Sequence, residues 1–125
     1  MPTTYKDLIA AADAVVPRLT PTQAKEMIAN GATVIDVRDG TEVAQTGKLK
    51  GAVHVARGSL EGRVDPTAPT YNAAFKPDQP VILHCAGGGR AALAGKTLKD
   101  MGYTKVFNGG GFKDLAGAGI EVEKP

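Results

Sequence analysis

The chain has no tryptophan, one cysteine, three tyrosines and three phenylalanines in 125 residues. A core made from it must therefore rest on Ala, Val, Ile and Leu rather than on large aromatic side chains. A single cysteine excludes an internal disulfide and suits a reducing compartment, the cytoplasm. Charge of one sign is lacking as well: 15 Lys and Arg against 13 Asp and Glu leave a net charge of +2. The basic residues are scattered, so the charged face that nucleic-acid binding requires is missing. No apolar run approaches the roughly 20 residues of a membrane-spanning helix. Lys6 and Asp7 interrupt the N-terminus, so no secretory apolar segment is expected there. Two histidines and one cysteine, dispersed as they are, make no metal site. No metal and no cofactor is expected. The length fits one domain.

What the chain does contain is an alternation of helical and extended patterns. In TTYKDLIAAADAVVP, Leu8, Ile9, Ala12, Val15 and Val16 fall at helical spacing, and Pro17 ends the segment. A second helix opens sharply: Thr20 caps it, Pro21 takes the first helical position and Gln23 completes a capping box. Ala24, Met27 and Ile28 form its apolar face, and Asn30-Gly31 stops it. Four short β-type runs follow, ATVIDV (32–37), AVHVA (52–56), VILHC (81–85) and KVFN (105–108). Their near-continuous Val, Ile and Leu is the pattern of strands buried on both faces. A helix from Arg90 to Met101, with Gly102 as its C-terminal stop, separates the last two. Such alternation predicts an α/β domain around a parallel sheet. Residues 58–80, rich in Pro, Asp and Thr, read as a long irregular connection of the kind that often shapes a site.

The only cysteine, Cys85, closes the run VILHC and is followed by Ala86-Gly87-Gly88-Gly89-Arg90. In a parallel α/β sheet, ligands bind beyond the carboxyl ends of the strands, where Cys85 falls. The glycines can curl tightly, because positive φ carries no steric cost for them. Successive N–H groups then converge into an anion-binding nest beside the positive end of a helix dipole. Arg90 adds a permanent positive charge at the rim. Such surroundings favour thiolate over thiol, which is the nucleophilic form. A cysteine at the end of a buried strand is often only a small hydrophobic side chain. A purely packed cysteine, however, has no need of three glycines and an arginine beside it.

Cys85-Ala86-Gly87-Gly88-Gly89-Arg90 resembles the six-residue active-site loop of single-domain rhodanese-like sulfurtransferases, which commonly read C-x-x-G-x-R followed by Ser or Thr. VIDVRDGTEVAQTGKLKGAVHVARGSLE (34–61) is similar to the family's D-x-R…E…G-H-I-P-G-A-x-H-I-P-R-G segment. MGYTKVFNGGGFKDLAGAG (101–119) is similar to its closing G-Y…V…L-x-G-G…W…G segment. The resemblance covers about residues 19 to 123, in the family's order. It departs at Ala91, where the family usually has Ser or Thr, a loss worth about 0.5–1.5 kcal/mol if one hydrogen bond is missing. Lys48, Lys50 and Leu115 also stand in place of the common His, Pro and Trp.

The resemblance implies a rhodanese-like α/β fold, with a central parallel sheet of about five strands flanked by helices on both faces. Residues 1–18 would form an N-terminal helical extension, packed outside or at a homodimer contact, and 19–125 the rhodanese-like domain. It further implies a sulfur relay. The Cys85 thiolate attacks the outer sulfur of a small anionic donor such as thiosulfate, and an external nucleophile discharges the persulfide. Loop N–H groups at Ala86, Gly87, Gly88, Gly89, Arg90 and Ala91 would hold the anionic sulfur, with Arg90 neutralising the dianion. With no second cysteine, the acceptor thiol must be external, low-molecular-weight or thioredoxin-like. Arg57 follows the strand AVHVA and is a second candidate for the anion site; a surface pair with Glu61 or Asp65 is equally open. Asp36 and Arg38 read better as a pair bracing a strand end. His84 precedes Cys85 directly, and adjacent strand side chains point to opposite faces, so it is a poor general base for that cysteine.

Three rival readings bear on the same residues. The His-Cys followed by a glycine loop and Arg is similar to the HC-x5-R of cysteine phosphatases, but only four residues separate Cys85 from Arg90. The shorter loop suits a sulfane sulfur better than a phosphoryl group. Gly95-Lys96-Thr97 looks like the end of a P-loop, yet the position that needs the earlier glycine is Arg90 and the triplet lies inside the predicted helix. A non-catalytic rhodanese-like binding module would usually lack the cysteine that is present here.

Overall fold

The computed structural model describes residues 2–125. Local side-chain chemistry starts its first two helices. The Thr4 hydroxyl accepts the Asp7 N–H while the Asp7 carboxylate accepts the Thr4 N–H, opening α1 at Tyr5–Asp13. The same reciprocal pair between Thr20 and Gln23, with Pro21 first in the helix, opens α2 at Pro21–Ala29. The remaining helices are α3 (Gly40–Thr46), α4 (Leu60–Val64), α5 (Gly89–Asp100) and α6 (Phe112–Gly117). The strands are β1 (Thr33–Asp36), β2 (Lys48–Leu49), β3 (Val53–His54), β4 (Val81–Cys85), β5 (Val106–Gly111) and β6 (Val122–Glu123).

Four of these strands form one parallel sheet in the order β3-β1-β4-β5. The expected count of about five is corrected to four. Beside β5, the chain at Arg18 adds a single parallel bridge to Asn108 instead of a strand. The reason is local: Pro17 has no N–H to extend the ladder, and Thr20 already turns the chain into α2. The two short strands that the sequence did not signal, β2 and β6, pair antiparallel as a separate ribbon.

Alternate residues of the sheet feed two cores. Ile35, Val81, Leu83, Cys85 and Val106 face α4 and α5, where Leu60, Val64, Ala91, Ala94 and Leu98 are buried. Val34 and Ile82 face α2 and α6, against Ala24, Phe112 and Leu115. Helices therefore cover both faces, and all five residues of β4 are buried. The connection after β3 is less irregular than expected. It holds a 3₁₀ turn at Arg57–Ser59 and then α4, and it buries Phe75 completely. The Tyr103 hydroxyl donates to the Val64 carbonyl at 2.8 Å, tying this wall to the end of α5.

The N-terminal helix lies on the outside of α5. Ala12 and Val16 are buried there, while Tyr5, Leu8 and Val15 remain exposed. Gly95 makes the approach feasible: a Cβ at this position would stand 2.9 Å from a Val16 methyl. The Gly95-Lys96-Thr97 triplet is thus mid-helix, packed under the N-terminal segment.

Candidate active site

Between the end of β4 at Cys85 and the start of α5 at Gly89, three residues reverse the chain. Gly88 caps the helix at φ +100°, a left-handed conformation that would strain any residue bearing a Cβ. In that conformation its N–H donates to Cys85 Sγ at 3.0 Å. Asn108 secures the turn from β5: its Nδ2 donates to the Gly88 carbonyl at 3.0 Å, and its Oδ1 accepts the Gly110 N–H at 2.8 Å. Cys85 is a free thiol with 1% of its surface exposed. The sequence-predicted loop, Cys85 to Ala91, is therefore one compact turn at the N-terminal end of a 12-residue helix. The Ala91 methyl, at the position of the expected hydroxyl, is buried in the same core as Cys85.

Arg90 is in the loop's rim, but its charge is already engaged. Its Nη1 and Nη2 donate to the two carboxylate oxygens of Glu42 at 2.7 and 2.9 Å, and Asp39 lies 3.9 Å away. The Arg90 hydrogen bonds hold the Glu42 carboxyl down to about 2, and the same contact pushes the Arg90 guanidinium up. Glu42 also accepts the Asp39 N–H at 2.9 Å, the capping contact that starts α3. Glu42 is a functional candidate that no local pattern around Cys85 singles out. Its signal was present, since it stands where the matched motif carries its glutamate.

Asp36 and Arg38 form the bracing pair that the motif suggested. Arg38 Nε donates to both Asp36 oxygens at 3.0 and 3.1 Å, and Nη2 donates to Oδ2 at 2.8 Å. Nη1 and Nη2 reach on to the Thr46 hydroxyl and the Gly47 carbonyl at the far end of α3. The guanidinium stacks on the Phe112 ring, 4.1 Å from its centroid. Burial pushes the Asp36 carboxyl up, but the Arg38 hydrogen bonds and nearby positive charge outweigh it and leave the group below its ordinary value. The pair thus anchors α3, and with it Glu42.

His84 lies on the opposite sheet face from Cys85, stacked near Phe112 with ring centroids 6.2 Å apart. It is fully buried, neither ring nitrogen has a hydrogen-bond partner, and burial lowers its pKa. It is placed to fill space and not to take a proton from Cys85. His54 Nε2 lies 2.7 Å from the Arg38 carbonyl, a strand-end contact. Arg57 is turned to Glu61 at 3.1 Å and to the Thr97 hydroxyl at 3.1 Å, two turns along α5 from the loop. Glu61 is one of the two carboxylates expected as its partner.

A second unforeseen residue is Arg18. It comes from the connector between α1 and α2, and its Nη2 donates to the Gly87 carbonyl at 3.3 Å. Nothing in its local sequence signals this. The Tyr5 hydroxyl, from α1, packs directly against Gly89. Beside the loop a cleft of about 270 Å³ opens between Glu42, Gln45, Ala86, Phe112 and Lys113. Among the described residues no His, Cys, Asp and Glu cluster could hold a metal ion, and no helix is long and apolar enough to cross a membrane.

Comparison with known proteins places this geometry. The chain is 31% identical over 97 residues to thiosulfate sulfurtransferase GlpE of Ectopseudomonas mendocina, covering 77% of this chain and 81% of that protein. Among solved structures, the polysulfide-sulfur transferase homodimer of Wolinella succinogenes superposes with a TM-score of 0.76 at 32% identity, over 97% of this chain and 88% of that one. A Rhodopseudomonas palustris protein described as of unknown function and a possible tyrosine phosphatase superposes with a TM-score of 0.87 at 34% identity, over 98% and 99% of the two chains. The family model described as "Rhodanese-like domain" matches residues 20–118. On this sequence match and this fold, the chain belongs to the rhodanese-like domain family.

Proposed function

We propose that this protein is a sulfurtransferase that moves sulfane sulfur through a persulfide on Cys85. The observation that carries the proposal is the Gly88 N–H directed at Cys85 Sγ at 3.0 Å, from a glycine turn that opens a helix. An N–H aimed at Sγ stabilises the Cys85 thiolate, both as the attacking nucleophile and as the leaving group when the persulfide is discharged. The thiolate attacks the outer sulfur of thiosulfate, a new S–S bond forms on Sγ, and sulfite leaves with the electron pair of the broken bond. An external thiolate, or cyanide in an assay, then attacks the outer sulfur and Cys85 departs as thiolate. The GlpE and Wolinella relatives carry names for sulfur transfer of this kind. A lone catalytic thiol with an external low-molecular-weight or thioredoxin-like acceptor suits the cytoplasm. A homodimer through the exposed Tyr5, Leu8 and Val15 of α1 fits the state named for the Wolinella protein.

Intact-mass spectrometry before and after thiosulfate, with cyanide added last, tests the reading. Wild type should gain one sulfur and release it as thiocyanate; Cys85→Ser should fold and gain none. A variant without the thiol that still turned over thiosulfate would refute the assignment. The name of the Rhodopseudomonas structure favours a second reading, a phosphatase. The four-residue spacing from Cys85 to Arg90 argues against it. Cys85-dependent hydrolysis of an aryl phosphate, with no sulfur gained, would establish it instead.

A further inference from the structure

We propose that Arg18 is a positioning residue for the Cys85 thiolate, acting through the Gly87–Gly88 peptide. The two hydrogen bonds concerned lie at opposite ends of one amide. Arg18 Nη2 donates to the Gly87 oxygen at 3.3 Å, and the N–H of the same peptide group, on Gly88, donates to Cys85 Sγ at 3.0 Å. A cation on the carbonyl oxygen draws electron density toward it and leaves the N–H more positive. The bond to sulfur is strengthened, as successive bonds in a hydrogen-bond chain polarise one another.

The place for this guanidinium is built from both sides. Main-chain bonds flank Arg18: the Asn108 N–H donates to the Pro17 carbonyl and the Leu19 N–H donates to the Asn108 carbonyl, both at 2.9 Å. The Asn108 side chain meanwhile holds the Gly88 carbonyl, so one residue of β5 fixes the arginine and the turn together. Two glycines leave room for the guanidinium: a Cβ at Gly88 would meet Nη1 at 2.7 Å, and one at Gly110 would meet Nη2 at 3.1 Å. Among the described residues Arg18 makes no ion pair, whereas Arg90 is engaged by Glu42. Arg18 therefore brings an uncompensated charge to the loop, where the nearer arginine in sequence does not.

The inference rests on the proposed function only in taking Cys85 as the working thiolate, and its test does not require turnover. The rate of Cys85 alkylation by iodoacetamide is measured from pH 5 to 10 for wild type, Arg18→Ala, Arg18→Gln and Arg18→Lys, with circular dichroism confirming the fold. Strengthening one charge-assisted bond by roughly a tenth to a third corresponds to about 1.3- to 5-fold in thiolate population. In Arg18→Ala and Arg18→Gln the midpoint should move to higher pH, with the rate at pH 7 reduced by that factor and the alkaline plateau unchanged. Arg18→Lys should keep most of the wild-type profile. Superimposable profiles would overturn the proposal, as would full rescue by Gln, which would leave Arg18 an uncharged clamp. If wild type alkylates as expected but gains no sulfur from thiosulfate, the sulfur-transfer reading fails while the role of Arg18 stands on its own result.

Discussion

Arg90 and Glu42, 48 residues apart in sequence, meet through two hydrogen bonds of 2.7 and 2.9 Å at the rim of the cysteine loop. The first turn of α5 is thereby docked on the first turn of α3. The arginine that follows the glycines is the half of an ion pair and not a free cation.

This pairing shapes the outcome of removing either partner. Arg90→Ala takes a positive charge from the rim and leaves Glu42 facing the incoming dianion. Its KM for thiosulfate should rise by about tenfold or more, in keeping with the loss of a charge-assisted contact. Adding Glu42→Gln removes the stranded carboxylate, so the double variant should bind thiosulfate better than Arg90→Ala alone. Steady-state kinetics on the four proteins of this cycle checks it. Equal KM values for wild type and Arg90→Ala would remove Arg90 from the anion site.

Glu42 also gives the fold an acid-sensitive contact. Its carboxyl is held at about 2 against an ordinary 4.5, so the charged form is favoured in the native state. A depressed carboxylate stabilises fully above its unfolded value and loses that contribution as pH falls toward the folded one. The window is therefore from 4.5 down to about 2. Glu42→Gln should be less stable than wild type at neutral pH, and the gap should close across that window. Thermal melts at a series of pH values test this, and a gap independent of pH would contradict it.

Asp36→Asn attacks the buried anchor behind the site. Asp36 has 0% and Arg38 2% of its surface exposed, so the change leaves a guanidinium buried without its counter-ion. The cost should be about 3–5 kcal/mol, read as a lower urea midpoint at unchanged slope. The kcat per folded molecule should stay close to wild type, because neither residue touches Cys85, and any effect carried through α3 and Glu42 falls on the KM. A loss of turnover at full stability would move this pair from scaffold to chemistry.

What could be read along the chain was local. Thr20 with Gln23, and Asp36 with Arg38, are separated by two or three residues, so their contacts are available to sequence logic before the fold exists. The strand around VILHC was legible because β4 is buried on both faces and carries no polar alternation to confuse it. The two-residue strands β2 and β6 were not legible, since so short a run has no period of its own. Nor was α4 within the Pro- and Thr-rich stretch, where Leu60 and Val64 supply its only apolar face.

The turn at Cys85 was legible in the sequence: Cys85 to Arg90 are consecutive, and the N–H that reaches the sulfur belongs to Gly88, three residues on. Only the tertiary structure decided where the charges go. The sheet order places β1 on one side of β4 and β5 on the other. Beyond β1 comes α3 with Glu42, which engages Arg90; beside β5 lies Arg18, which reaches Gly87 from 69 residues away. Side-chain partners at such separations meet only once parallel strands are brought edge to edge, so no spacing along the chain records them.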